Sequence, residues 1–221
     1  MKYDYIIFDL DGTLLDTLDD LTDSVNAALS KYSFPAVDRE KVRRSVGNGV
    51  KLLMSRCLPE GTDVETVDLC TDFMRLHYEK NCENKTRPYD GIPELLMKLR
   101  AEGARVAVVS NKFDAAVKQL CQKYFDGLIE AAIGERVGVS KKPSPDSVFA
   151  ALEELGATSD ELDRVIFVGD SDVDVLTAKN AGVQCVGVTW GFRHRELLIS
   201  TGADFIADDA KQLESVLFCG K

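Results

Sequence analysis

Histidine and tryptophan are scarce in this chain, at two residues and one. The six cysteines, Cys57, Cys70, Cys82, Cys121, Cys185 and Cys219, form no C-x-x-C pair and no Cys/His cluster of zinc-like spacing. That removes the usual zinc and dithiol patterns. Scattered thiols of this kind are expected to be reduced and mostly buried, in a cytoplasm. Long apolar runs are also missing: none approaches the roughly 20 residues that a membrane helix requires. The opening MKYDYIIFDLD meets an acidic residue too soon for a signal peptide. Positive charge is the scarcer sign, with 27 Lys and Arg against 37 Asp and Glu and a formal net charge of −10. Non-specific attraction to nucleic acid or to an anionic membrane is therefore disfavoured. A metal ion and a few fixed donors can still reverse the field locally for an anionic substrate.

What is present suits a globular enzyme. The 221 residues are 45% hydrophobic and 29% charged, enough for one core and a smaller insert. Short β-branched runs recur at Tyr5–Asp9, Arg105–Ser110, Leu128–Ile133, Val165–Asp170, Cys185–Thr189 and Asp204–Ala207. Helical patterns alternate with them at Ile92–Glu102, Asp114–Lys123, Asp146–Leu155, Asp172–Ala181 and Arg193–Ser200. Nearly continuous apolar strands alternating with helices predict an α/β fold, a doubly wound, Rossmann-like parallel sheet covered on both faces. Residues 16–87 break the rhythm and read as four helices, at Leu18–Tyr32, Asp38–Ser45, Val50–Cys57 and Val64–Asn81. Pro35, Gly47-Asn48-Gly49 and Pro59-Glu60-Gly61 separate them, as expected of helix stops. The expected division is a core of 1–15 and 88–221 with an inserted α-helical cap domain over 16–87.

In open parallel sheets, ligands bind beyond the carboxyl ends of the strands. The first strand ends in Asp9 and Asp11, the second in Ser110-Asn111, and VIFVGD in Gly169-Asp170, with Asp174 four residues on. The loop after Ile133 carries Lys141-Lys142-Pro143. Three or four carboxylates converging on one point repel each other, and a hard divalent cation removes that conflict. Mg²⁺ prefers carboxylate and water oxygens, so Mg²⁺ is the expected cofactor.

These residues resemble the haloacid dehalogenase superfamily. D-x-D-G-T matches Asp9–Thr13, a strand-end Ser or Thr matches Ser110, a Lys before Pro matches Lys142, and G-D-x-x-x-D matches Gly169-Asp170…Asp174. The four motifs stand in family order across nearly the whole chain, and the insert resembles that superfamily's helical cap. The resemblance implies that Asp9 attacks phosphorus to form an aspartyl-phosphate, while Asp11 protonates the leaving alcohol and then deprotonates water. Crowding by neighbouring acids is expected to keep Asp11 protonated. It further implies Mg²⁺ on Asp9, the Asp11 carbonyl and Asp170, with Asp174 ordering the metal shell. Ser110, Asn111, Lys142, Gly12 and Thr13 are expected around the phosphoryl group. Dehalogenase members lack an acid at the second position, so Asp11 favours phosphate esters.

Within the superfamily, VGDSDVDVLTAKNAG, SNK, Trp190-Gly191 and the Gly47–Gly49 loop look like the phosphoglycolate phosphatase subfamily. The expected substrate is a small phosphorylated metabolite, with Arg43, Asn48 and Lys51 of the cap as candidates for a substrate carboxylate. Lys141 stands where relatives often carry Gly. Asp172 reads as a first-turn helix acid, Ser110 also as a helix N-cap, and His77 and His194 as structural. Alternatives are a sugar-phosphate phosphatase, a pyrophosphatase, a β-phosphoglucomutase-like mutase and, outside enzymes, a phosphoacceptor signalling domain. A dinucleotide-binding module is disfavoured because the first turn reads D-L-D-G-T rather than G-x-G-x-x-G. Either a monomer or a homodimer is compatible with the sequence.

Overall fold

A computed structural model describes residues 1–219. In chain order the elements are β1 (Tyr5–Phe8), β2 (Leu15–Asp16), α1 (Leu18–Lys31), α2 (Arg39–Ser45), α3 (Val50–Cys57), α4 (Val64–Asn81) and β3 (Arg87–Pro88). Next come α5 (Ile92–Ala101), β4 (Arg105–Phe113), α6 (Asp114–Phe125), β5 (Ala131–Glu135) and α7 (Asp146–Glu154). A 3₁₀ turn at Ser159–Arg164 leads into β6 (Val165–Gly169), α8 (Asp172–Ala181), β7 (Gln184–Val188), α9 (Arg195–Thr201), β8 (Phe205–Ala207) and α10 (Ala210–Cys219).

Six strands pair in parallel in the order β5-β4-β1-β6-β7-β8, with β1 at the centre. The side-chain period of two divides each central strand between two cores. Ile6, Phe8, Val106, Val108, Ile166 and Val168 pack beneath α5, α6 and α10. On the opposite face Tyr5, Ile7, Ala107, Val109, Val165 and Phe167 pack beneath α7, α8 and α9. Burial on both faces explains why these strands read as unbroken apolar runs, and the doubly wound α/β expectation holds.

The four helices α1–α4 lie between two strands of a small antiparallel ribbon, where Leu15 faces Pro88 and Asp16 faces Arg87. Asp20, in the first turn of α1, fastens this junction. Its buried carboxylate accepts from the Lys85 and Thr86 amides at 3.0 and 2.9 Å and from Thr86 Oγ1 at 2.9 Å. Asp38 and Asp63 cap α2 and α4 by accepting from Lys41 N and Thr66 N. Among the described residues, no helix is long and apolar enough to cross a membrane. All six cysteines are free, and five are buried.

Two features depart from expectation. β4 does not end at Ser110: past a bulge it pairs again with β5, Phe113 opposite Glu135, so Ser110-Asn111-Lys112 lies within the strand. Phe113, not Ser110, is the residue before α6, and it provides no side-chain cap. The chain also closes with α10, which the alternation of strands and helices had not suggested. Leu213, Val216 and Leu217, three and four residues apart, bury its inner face.

Candidate active site

Asp9 leaves the sheet at the carboxyl end of β1. Its amide still donates to Val168 O at 2.9 Å, so the backbone remains in register with β6 while the carboxyl projects beyond the strand ends. One carboxylate oxygen each from Asp9, Asp170 and Asp174 lies within 4.8 Å of the other two, and all three residues are buried. Lys142 comes in from the loop after β5. Its Nζ donates to Asp174 Oδ1 at 2.7 Å and lies 2.8 Å from Asp9 Oδ1, off the hydrogen-bonding direction.

Short-range geometry fixes each acid. Asp174 is the third helical residue of α8 and forms a capping box with Ser171, accepting from its amide at 3.0 Å and its hydroxyl at 2.6 Å. Asp170 accepts from Thr13 Oγ1 at 3.3 Å and from the Phe192 amide at 2.6 Å. Glycines let backbone approach these carboxylates. A Cβ on Gly12, whose φ is +90°, would lie 2.6 Å from Asp170 Oδ2. A Cβ on Gly191 would lie 2.4 Å from both Asp170 Cβ and Gly12 O. Gly12 and Thr13 thus hold Asp170, and the neighbouring Trp190 donates from Nε1 to Thr13 O at 3.0 Å.

The charge balance is unfinished. Burial pushes the Asp9 carboxyl up to about 7, against the pull of the Lys142 ammonium. Burial, reinforced by Asp174 and Asp9, raises Asp170 well above the carboxylate range. Burial opposes the charge on Lys142, but the carboxylates of Asp174 and Asp9 outweigh it and hold the ammonium protonated. Three buried carboxylates therefore face one ammonium, and Asp9 Oδ1 has no hydrogen-bond donor. An all-oxygen, net-negative cluster of this kind fits a divalent cation.

Asp11 stands apart from that cluster. Its Oδ2 accepts from Lys112 Nζ at 2.8 Å, and its buried Oδ1 has no partner. The side chain beside it is a lysine rather than the crowd of acids anticipated from sequence. Lys112 carried no assigned role in the sequence. Its side chain is 4% exposed, and its ammonium lies 4.3 Å from the centre of the Tyr78 ring on α4. Its place in the SNK run that follows the apolar stretch of β4 is the signal that could have found it.

Asn111 stitches the site together. Its amide nitrogen donates to Lys142 O and Gly47 O, both at 3.0 Å, and its carbonyl oxygen accepts from Lys142 N at 2.8 Å. Lys142 is thus held through both its backbone and its ammonium. Lys141 is 40% exposed and pairs with Glu135 at 2.8 Å.

Helices of the α1–α4 insert and the strand ends together line a cavity beside these residues. Its cap wall is apolar, built around Leu21, Val50, Leu53, Met74 and Tyr78. The basic cap candidates do not line it. Lys51 pairs with Asp68, Arg43 with Glu40 and with Phe192 O, and Asn48 Oδ1 accepts from Arg56 at 3.0 Å. The basic residue at the cap–core seam is instead Arg193, from the loop after β7. It donates to Arg43 O at 3.0 Å and Val46 O at 2.6 Å, and it stands 3.7 Å from Asp172. His77 contacts Ser24 Oγ at 3.0 Å, and His194 precedes α9. Neither lines the cavity.

A strand-end carboxylate trio, a buried lysine and an inserted helical cover define a hydrolase site of the haloacid dehalogenase type. The chain belongs to the haloacid dehalogenase-like hydrolase family, whose model matches residues 6–188. It is similar to the phosphoglycolate phosphatase of Pseudomonas putida, 34% identical over 213 residues covering 94% of this chain and 77% of that one. Similarity to the phosphoglycolate phosphatase of Vibrio parahaemolyticus is 32% over 224 residues, 96% and 95% of the two chains. The crystal structure of a candidate phosphoglycolate phosphatase from Lactobacillus delbrueckii subsp. bulgaricus superposes with a TM-score of 0.92 at 33% identity, covering 98% of this chain and 99% of that one. The chain is therefore an enzyme, a phosphatase-like hydrolase.

Proposed function

We propose that this hydrolase is a cytoplasmic, Mg²⁺-dependent phosphatase that cleaves a small phosphate monoester, 2-phosphoglycolate foremost, through an aspartyl-phosphate on Asp9. The observation that carries it is the Asp9 carboxyl, buried beside Lys142 at the cavity and clustered with Asp170 and Asp174.

Mg²⁺ would sit on Asp9, the Asp11 carbonyl and Asp170, with Asp174 behind them, and would supply the positive charge that keeps these acids ionised. The chain's own groups do the rest. Lys142 and Ser110 receive the phosphoryl oxygens, and the Asn111 amide keeps the Lys142 backbone in place. An Asp9 oxygen forms a bond to phosphorus as the ester P–O bond breaks, and Asp11 relays a proton from solvent to the departing alkoxide. Water then attacks the aspartyl-phosphate, Asp11 takes the proton, and phosphate leaves with Asp9 restored. The partnerless Asp11 Oδ1 suits contact with the ester oxygen. The activity of the relatives supports a two-carbon ester over a ring sugar. The helical unit α1–α4 acts as the cap domain, opening for product release.

The test is kcat/KM over 2-phosphoglycolate, pyrophosphate, β-glucose 1-phosphate and sugar phosphates, with Asp9→Asn purified in parallel. Preference for phosphoglycolate, loss of turnover in Asp9→Asn, and chelator-sensitive activity restored by Mg²⁺ are expected. Turnover retained by Asp9→Asn would exclude the aspartyl-phosphate route.

A further inference from the structure

Resting on the phosphoglycolate reading, we propose that Lys112 is the specificity-determining cation of this site: it receives an anionic substituent, a carboxylate, on the carbon that bears the ester oxygen. Three cationic side chains line the cavity: Lys112, Lys142 and Arg193. Lys142 is committed to Asp9 and Asp174. Both terminal nitrogens of Arg193 donate to main-chain oxygens of the cap, and its Nε faces Asp172. Lys112 differs. Its ammonium has three donors but, among the described residues, a single hydrogen-bond acceptor, Asp11 Oδ2.

A buried ammonium with one acceptor is incompletely satisfied, and the rest of its surroundings is the Tyr78 ring and the apolar cap wall. The cap sends no cation into the cavity, because Arg43 and Lys51 are paired elsewhere. A substrate carboxylate therefore has one cation available to it. The position is also apt. Asp11 is the group that meets the ester oxygen, and Lys112 touches Asp11 at 2.8 Å. A substituent on the carbon next to that oxygen lies beside Asp11 and within reach of the same ammonium. An ester without the carboxylate leaves two Lys112 donors unmet in an apolar enclosure, which penalises it.

The test compares 2-phosphoglycolate with ethyl phosphate, which lacks the carboxylate, in the wild-type protein and in Lys112→Met and Lys112→Arg. Both esters should slow in Lys112→Met, since Asp11 loses its partner. The ratio of kcat/KM between them should collapse by on the order of 100-fold. Lys112→Arg keeps the charge and should retain part of the preference, and it serves if Lys112→Met fails to fold. Inhibition by glycolate should weaken in both variants while inhibition by inorganic phosphate changes little. A wild-type preference that survives in Lys112→Met overturns the assignment and leaves the phosphoglycolate reading standing. Equal, Asp9-dependent turnover of both esters by the wild-type protein overturns both.

Discussion

Removing the Asp9 charge should stabilise the metal-free protein, and the gain should grow with pH. Burial raises the Asp9 carboxyl from its ordinary 3.8 to about 7. Between those values the native state holds a proton that the unfolded chain has released. Stability therefore falls as pH rises through that window. From near pH 5 to near pH 7.5 the loss spans about two pH units, or about 3 kcal/mol at roughly 1.4 kcal/mol per unit. Asn at this position has nothing to ionise. Removing its neighbour's charge also relieves Asp170, which is raised by burial and by Asp9, so the two effects add. For a chain of this length about 3 kcal/mol corresponds to a melting shift of roughly 6–12 °C. The assay is thermal and urea unfolding of chelated wild-type protein and Asp9→Asn at both pH values, taken as a difference so that pH effects common to both cancel. The wild-type protein should lose about 3 kcal/mol relative to Asp9→Asn on going to the higher pH. Mg²⁺ should recover more of that loss near pH 7.5 than near pH 5, because protons compete for the same oxygens. A difference that stays flat across the two pH values would refute the reasoning, since it would mean that Asp9 ionises without cost in the folded protein.

Gly191→Ala would set a Cβ 2.4 Å from Asp170 Cβ and from Gly12 O. The expected result is a Mg²⁺ activation constant raised at least about 10-fold, with overpacking costing about 1–3 kcal/mol; unchanged Mg²⁺ dependence would mean that the backbone yields elsewhere. Asp20→Ala strips the acceptor from two amides and the Thr86 hydroxyl at the cap junction. Urea unfolding should register about 2–5 kcal/mol of lost stability, and a loss below about 1 kcal/mol would show that water replaces the carboxylate there.

Much of this protein was legible in its residues because the signals are local. A strand buried on both faces has to be apolar along its length, so β1, β4 and β6 announced themselves as runs ending in Asp9, Ser110 and Asp170. The spacing of Asp170 and Asp174 across a strand–helix junction was enough to bring both acids to one point. The breaks at Gly47-Asn48-Gly49 and Pro59-Glu60-Gly61 marked where α2, α3 and α4 stop and start, because they interrupt the helical backbone itself.

What stayed hidden depended on partners distant in the chain. β4 runs past Ser110 because β5 offers it a second stretch of pairing beyond a bulge, which no reading of β4 alone contains. Arg43 and Lys51 were candidate substrate ligands from their place beside the Gly47–Gly49 loop, and in the structure they pair with Glu40, Phe192 O and Asp68. Lys112 carried no assigned role in the sequence, and the fold sets it between Asp11, 101 residues away, and the Tyr78 ring. Local periodicity and steric punctuation determine which backbone forms. Which side chain faces which charge is decided only when distant segments close on one another, because burial and Coulomb energy depend on distance in space rather than on separation along the chain.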